Sequence, residues 1–531
     1  MHSHPRYSIL ERVPHDVLQH IALLSASPAD LCRLLATSRV LYAGLNICTS
    51  PHLYAAIFRL TFDSSASASA PLTNSALAAE LVQRCRALRR CRRLDLSVHG
   101  LRQDLWTLLW MVIETGPCVS LSEAGFSRFV VELARYYLRD DVWPWKELKN
   151  MVVWLLCLGL TRQDILSQTP EVRGTLLALL RPFVSADTSR VPVVTSPFPF
   201  PVFHAASSER SFSWPFSWSF VPADEEGEIT RYNAHTRAPS LPPPTDAAII
   251  LTFALKEAVA LQLPFHLPAT RAIATAENRT GPTAEDYTAF QRTGTRLFAD
   301  IRATAATNLN FLELDPWISH LLAAPGMHEP RLHCPVYPPG SLTGVWEGSL
   351  MISSCVSLAN DMGSPEAPAA GPPDFLCRTP MQCKFSEYLC FSPCIPLPDG
   401  HTPVYANVED SEAWGTFDAT SGNFAYRKFT PGEEFQREFS RPALDHVLIG
   451  QTLHEHEDAW APGGFNFAGR VKDDGLIAFT RRPKNDESEA SETWLFEGHL
   501  RYGTALVGSF RSSSADDLCG IQGIFSLRKR E

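Results

Sequence analysis

Residues that could bind a metal occur in the last third of the chain. His454, Glu455, His456 and Glu457 follow one another. Alternate residues of a strand share one face, and zinc ligands often use such an arrangement. For this short pattern we favour a solvent-exposed loop over a zinc site.

Four cysteines form a second candidate metal site. Cys377, Cys383, Cys390 and Cys394 are spaced 6, 7 and 4 residues apart. Structural zinc sites normally use paired Cys-x-x-Cys knuckles, which this spacing does not contain. The pattern favours strand cysteines that face a core, and we expect no bound metal.

The sequence lacks the common motifs of enzyme chemistry. The sequence has no phosphate-binding Gly-Lys-Ser or Gly-Lys-Thr loop, no Gly-x-Gly-x-x-Gly, no Gly-x-Ser-x-Gly and no His-Glu-x-x-His. We therefore expect a non-catalytic protein that uses no cofactor.

Composition narrows the possible partners and compartments. The 531 residues are 45% hydrophobic and carry a net charge of −10, which argues against a general nucleic-acid binder. No apolar run reaches the roughly 18 residues that span a bilayer, so we expect no membrane partner. The 13 scattered cysteines are typical of reduced thiols. A cytoplasmic or nuclear location follows as an expectation.

Residues 8–63 predict three short helices. Pro14, Pro28 and Pro51 each suit the first position of a helix, because proline fixes φ and lacks an N–H group. Apolar residues recur behind each proline at helical spacing. Three such helices cannot enclose all their apolar faces, so some large side chains should meet another chain.

This segment resembles the F-box over residues 13–54. The residues that carry the resemblance are Val13, Pro14, His15, Asp16, Val17, Leu18, Ile21, Asp30, Leu31, Leu34, Thr37, Ser38, Arg39, Tyr42, Pro51, His52, Leu53 and Tyr54. Valine at position 13 departs from the usual leucine. The alternative interpretation is a small helical cap on the next domain.

The resemblance implies a partner and a set of contact residues. In that family the module docks on a Skp1-like adaptor and through it joins a cullin-based ubiquitin ligase. By position, Pro14, Leu18, Ile21, Leu31 and Leu34 would lie against the adaptor. The residues that would support the third helix are Leu53 and Tyr54.

The middle of the chain is predicted to be mainly helical. Residues 64–187 have helical periodicity and should form four or five helices. An arginine-rich run, Arg84–Arg93, favours a solvated helix face over a contact with phosphate or an acidic partner. A linker rich in Pro, Ser and aromatic residues covers 188–245, and a second helical region covers 246–334, with long helices at Ala247–Leu261 and Ala284–Ala303.

The period changes from helix to strand near residue 335. Eight or nine short strands over 335–531, with an Asp474-Gly475 turn between two of them, predict an antiparallel up-and-down β-barrel. The predicted fold class is therefore α+β and multidomain, with a three-helix module, a helical middle and a C-terminal barrel. We also expect the fragment 335–531 to fold by itself.

The first strand resembles the Gly-x-Trp start of lipocalin-like barrels. Gly344 and Trp346 carry the resemblance, which implies that an arginine of the last strand covers the tryptophan. Arg528, or alternatively Arg511, would be that arginine. Together with the F-box pattern, this resembles F-box-only proteins, chiefly fungal, with calycin-type barrels.

Three functional hypotheses follow. The first is a substrate receptor of an SCF-type ubiquitin ligase, whose barrel holds a protein target. The second is a carrier that encloses a small apolar ligand in the barrel. The third is an F-box protein that acts outside the ligase as a structural partner.

Bulky residues such as Trp346, Phe467 and Phe496 favour a filled barrel, and hence target binding by loops. The candidate target-binding loops are two long ones, Ser354–Phe375 and Pro393–Ala413. Solvent-exposed insertions are the equally weighted alternative. The candidate target-binding residues are Asp361, Glu366, Asp399, Glu409, Asp410 and Glu412.

Overall fold

The protein has an α+β fold, in which helices are followed by a closed antiparallel β-barrel. Within the part of the chain that the structure describes, no helix combines the length and the apolar character needed to cross a lipid bilayer. The computed structural model describes residues 10–25, 27–62, 73–115, 119–139, 148–188, 243–261, 263, 265–304, 337–353, 375–390, 426–430, 445–471, 475–484, 493–512 and 521–530.

The N-terminal module contains four helices after a 3-10 turn at Leu10–Arg12, rather than the three that were predicted. Ser38 interrupts the predicted second helix, because its extended backbone stops one helix and its hydroxyl caps the next by accepting from the Val40 N–H. The helices are α1 His15–Ser25, α2 Pro28–Thr37, α3 Arg39–Leu45 and α4 Pro51–Thr61.

A helical body follows the N-terminal module, and seven of its described helices fall in the region where four or five were predicted. One of the breaks coincides with a local start signal, the Thr161–Asp164 capping box that begins α10. The seven helices are α5 Asn74–Arg93, α6 Leu101–Thr115, α7 Val119–Glu123, α8 Phe126–Tyr137, α9 Leu148–Gly159, α10 Arg162–Ser167 and α11 Pro170–Thr188.

The second helical region differs from the prediction of two long helices. The predicted start after Thr283 is confirmed, because Thr283 and Asp286 form a capping box. The predicted helix Ala284–Ala303 is wrong in length, since it is two helices separated by extended residues. The helices are α12 Thr245–Glu257, α13 Arg271–Ala276, α14 Ala284–Arg292 and α15 Phe298–Thr304. The aromatic segment of the predicted linker lies outside the described residues.

The arginine-rich run of α5 is only partly a solvated face. Arg84 is 1% exposed, and its guanidinium donates to Glu80 and Glu114 while lying over the rings of Phe58 and Phe62. The prediction of a solvated face is wrong for this arginine. Its charge is buried against two carboxylates from different helices and two aromatic rings at the end of α4.

The barrel is closed by eight strands in the order β1-β9-β8-β7-β6-β5-β4-β2, and β2 pairs back to β1. All strand pairs are antiparallel. Strands that follow one another in the chain are neighbours in the sheet, except that β4 pairs with β2 and not with the three-residue β3, which pairs with the end of β2. The strands are β1 Gly344–Ser353, β2 Phe375–Cys390, β3 Tyr426–Lys428, β4 Asp445–Gln451, β5 Phe465–Val471, β6 Leu476–Pro483, β7 Trp494–Arg501, β8 Ala505–Ser512 and β9 Gln522–Lys529. A further helix, α16 His454–Ala459, joins β4 to β5.

Aromatic side chains fill the barrel interior, as the sequence predicted. Trp346, Phe467 and Phe496 are fully buried there, and the Phe479 and Phe496 rings stack with centroids 4.9 Å apart. Glycine makes room for this packing: a Cβ at Gly498 would lie 2.9 Å from the Phe525 ring. The interior therefore belongs to the core.

One outer side of the barrel shares its core with the helical body. Outward-facing barrel residues pack into the same cluster as α9, α11 and α12. The Tyr502 hydroxyl, at the β7–β8 turn, lies 3.3 Å from the Cys157 thiol of α9. The barrel residues in the helical cluster are Met351, Tyr502, Ala505, Val507 and Ile524.

Candidate docking surface

Helix α1 exposes large apolar side chains on one face. Val17 and Ile21 are each 43% exposed and Leu24 is 72% exposed, and their spacing of four and three residues places them along one side of the helix. The adjoining side of the helix buries Leu18 and Ala22 in the core of the module. A helix that is apolar on both faces needs a second apolar environment besides its own core.

Helix α3 contacts α1 and exposes two further large side chains, Val40 at 47% and Tyr42 at 59%. We use the name docking surface for these five residues together. Such exposure on two neighbouring short helices is a feature of protein interaction sites. The residues of the docking surface are Val17, Ile21, Leu24, Val40 and Tyr42.

A polar network fixes α1 against α3 and α4. His15 Nε2 lies 2.7 Å from the Gly44 carbonyl oxygen, so that nitrogen must donate, and Nδ1 then accepts from Gln19 at 3.1 Å. Gln19 also donates to the Ser50 hydroxyl and accepts from His52 Nε2 at 3.0 Å. Because side chains of α1 and α4, the Ser50 hydroxyl and a backbone carbonyl of α3 close this network, α1 has a defined orientation.

The predicted adaptor-binding residues divide into two groups. Pro14 and Ile21 are exposed, whereas Leu18 and Leu31, at 6% and 2% exposure, pack inside the module. Leu34 is half-buried against the same core. The two buried leucines hold the docking surface from beneath and offer little area to a partner.

The two predicted supporting residues of α4 are both buried. Leu53 is 3% exposed, and Tyr54 is 8% exposed. Burial raises the pKa of Tyr54 to about 12, and the nearby Cys32, Tyr42 and Cys48 add to this effect. Tyr54 therefore packs as a neutral side chain beneath the surface that α3 presents.

Sequence reasoning missed Leu24 and Val40 as surface residues. The helical spacing behind Pro14 puts Val17, Leu18, Ile21 and Leu24 in one apolar set, but at about 100° per residue Leu18 lies about 60–120° around α1 from the other three. A helical-wheel comparison of α1 would have separated Leu18 from the other three. Val40 was unpredictable because the break at Ser38 was not recognised.

One end of the barrel is closed by the segment that precedes β1. The Glu387 carboxylate accepts backbone N–H groups of Gly340, Leu342 and Thr343, each at 2.7 Å. Burial raises the pKa of Glu387, although these hydrogen bonds oppose the shift. The Trp346 indole donates to the Leu342 carbonyl at 2.7 Å, which ties the segment to β1.

The expected cover of Trp346 by Arg528 is wrong. Arg528 lies opposite Glu347 in the β1–β9 register and donates to its carboxylate at 2.6 Å. Neighbouring residues of a strand point to opposite faces, so Arg528 and Trp346 lie on different sides of the sheet. Lys529 is the residue that lies opposite Trp346, and its amine donates to the Ser341 carbonyl. Gly344 begins β1 with a φ of 129°.

The predicted metal candidates have structural roles where they are described. His454–Ala459 is the short helix α16 rather than a loop, and His456 is buried. Burial, followed by the charge of Arg481, lowers the pKa of His456 to about 4. Cys383 is fully buried in the barrel core. Within the described ranges, no group of three His, Cys, Asp or Glu residues could hold a metal ion.

The six acidic residues predicted to bind a target lie outside the described residues. The strands that border their loops are nonetheless informative. Ser353 pairs with Phe375 at one end of the barrel, whereas Cys390 pairs with Asp445 at the other end. The described strand ends next to the two predicted loops therefore lie at opposite ends of the barrel, and the target site itself stays a prediction.

Comparisons with known protein families, with curated proteins and with solved structures found no match to this chain. The chemistry of the docking surface is therefore read from its own residues. It is apolar and carried by short helices in a fixed orientation, which suits binding another protein.

Proposed function

We propose that this chain is the substrate receptor of an SCF-type ubiquitin ligase. Its N-terminal module docks on a Skp1-like adaptor and through it reaches a cullin, and its barrel, similar to calycin-type barrels, recruits a protein target. The chain itself transfers nothing. It accelerates ubiquitination by holding the target close to the ligase, which raises the effective concentration of the target.

The exposed apolar face of α1 carries this proposal. Full burial of a Val, Ile or Leu side chain contributes about 1.5–3 kcal/mol relative to exposure. Val17, Ile21 and Leu24 are already partly covered, so together they can supply on the order of 3 kcal/mol to binding. Val17 and Ile21 belong to the F-box-like pattern, which supports a Skp1-like adaptor as the partner.

Packing between the parts of the chain supports a receptor role. Helix α4 of the module packs along α5 of the helical body, and Arg84 bridges the two by stacking on Phe58 and Phe62. The body in turn shares its core with the barrel. A target on the barrel would thus be held at a fixed distance from the adaptor.

The filled barrel favours a protein target over a small apolar ligand. Aromatic side chains occupy the interior, so recognition falls to the outer surface and the loops. We keep the hypothesis that the two acidic loops line a target site that favours a basic or polar peptide segment.

The test is adaptor binding by the full-length double variant Ile21→Asp/Leu24→Asp. Both side chains are exposed, so the variant should stay folded while two charges enter the interface and weaken binding at least 100-fold. The matched control is Val82→Asp/Val119→Asp, which adds the same two charges at positions of the body that are 50% and 71% exposed. Calorimetry with a purified Skp1-like adaptor gives the affinities. Equal binding by the double variant and the control would exclude the F-box role.

A further inference from the structure

One cation lies on the exposed face of α3. Around this helix Arg39 comes between Val40 and Tyr42, about 100° from the first and about 60° from the second. All three side chains are exposed, whereas Leu41 and Leu45 on the opposite side of α3 are buried. The two apolar residues that α3 contributes to the docking surface therefore flank a guanidinium.

Within the part of the chain that the structure describes, this charge has no internal hydrogen-bond or ion-pair partner. Asp30, an acidic residue of the same module, pairs with Arg33 at 2.8 Å. The first turn of α3 contains no acidic residue, and a cation there faces the positive end of the helix dipole. Arg39 therefore adds nothing to the stability of α3, and its guanidinium is available to a carboxylate of a partner.

Docking on α3 would remove this guanidinium from water. A partner that covers Val40 on one side of Arg39 and Tyr42 on the other also covers Arg39, because it lies between them on the same face. A buried charge without an opposite charge is strongly unfavourable. A partner that binds α3 must therefore place a carboxylate against Arg39, and a partner without one is rejected.

We propose that Arg39 is a specificity-determining residue of the docking surface and pairs with a carboxylate of the docked Skp1-like adaptor. This inference rests on the proposed function and adds one charged contact to an otherwise apolar interface. The apolar residues of α1 and α3 supply most of the affinity. The charged pair fixes how the adaptor lies on α3, and it excludes proteins that present an apolar surface alone.

The experiment measures the affinity of the full-length protein for a purified Skp1-like adaptor by calorimetry. Arg39→Gln should weaken binding about tenfold and Arg39→Glu about 100-fold, because the second variant brings two negative charges together. Neither variant should lower the thermal midpoint, since each removes a cation from the positive end of α3, and this separates a binding role from a structural one. The matched control is Arg128→Glu, at an exposed position in the first turn of α8, which also lacks an acidic residue. Its affinity should change less than about twofold.

The possible results separate this inference from the proposed function. Equal affinities for Arg39→Glu and Arg128→Glu, with binding still lost in Ile21→Asp/Leu24→Asp, overturn the Arg39 contact and leave the apolar docking surface in place. Tighter binding by Arg39→Gln than by the unchanged protein also overturns the inference, because it means that the adaptor covers the guanidinium without offering a carboxylate. No adaptor binding by the unchanged protein overturns both.

Discussion

A buried ion pair between α12 and β7 offers a sharp test of how the helical body holds the barrel. Asp246 accepts from Arg501 Nε at 2.9 Å and from Nη2 at 2.6 Å, and His499 Nδ1 lies 3.2 Å from the same oxygen. Asp246 and Arg501 are both 6% exposed. Asp246→Asn removes the negative charge that faces the buried guanidinium of Arg501.

The expected loss is about 3–5 kcal/mol in the free energy of unfolding, the usual cost of breaking a buried pair from one side. The negative charge also sits in the first turn of α12, where the helix dipole stabilises it by up to about 1 kcal/mol. Glu132→Gln is the matched control. Its partner Arg135 is 44% exposed, so that variant should lose less than about 0.5 kcal/mol.

Urea unfolding followed by tryptophan fluorescence measures this loss. The Arg501 guanidinium lies 5.8 Å from the Trp154 ring, so release of the pair changes the surroundings of that indole. Hydrogen exchange of the α12 amides gives a local value, because a chain of this length need not unfold in one step. An unchanged urea midpoint together with unchanged α12 exchange in Asp246→Asn would refute the anchoring role.

The pH dependence of this pair has a defined sign. Burial alone would raise the pKa of Asp246, but His499 and Arg501 outweigh burial and hold it well below the usual range. Since the unfolded carboxyl has a pKa of about 3.9, the contribution of Asp246 is present above that pH and is lost as pH falls through the folded pKa. The stability difference between the unchanged protein and Asp246→Asn should therefore shrink below about pH 4.

Three further predictions concern the barrel. The fragment 335–531 should form β-structure but self-associate, because it uncovers apolar residues such as Val507 that the helical body buries. Circular dichroism measures its β-structure, and size-exclusion chromatography measures its association state. Gly498→Ala should lower the free energy of unfolding by about 1–3 kcal/mol, because its Cβ would lie 2.2 Å from a carbonyl oxygen. Gly174→Ala, in an open position of α11, should raise it by about 0.5–1 kcal/mol, and equal thermal midpoints for the two variants would contradict this. Glu387→Gln should lower the free energy of unfolding by about 2 kcal/mol, since the glutamine NH₂ group is a donor that would face the Gly340 N–H, another donor. An unchanged urea midpoint would count against the role of Glu387 in closing its end of the barrel.

Local signals in the sequence predicted much of the secondary structure. Prolines lie at or just before the first residue of α1, α2 and α4, and Thr283 caps α14. These signals act within one helical turn, so their effect does not depend on distant residues. The alternation of Phe465, Phe467 and Val471 predicted a strand with one inward face. Local stop signals such as Ser38 were missed, because serine is also common inside and at the surface of helices.

By itself, the sequence determined the α+β fold class, the barrel and its filled interior, because the period of apolar residues and their volume decide which face turns inward. Only the tertiary structure decided the roles of individual charged and apolar residues. The burial of Arg84 needs Glu114, thirty positions along the chain, and the exposure of Leu24 depends on which side of α1 its neighbours cover. Such assignments depend on contacts between residues that are distant in sequence, and a linear pattern does not record which residues meet.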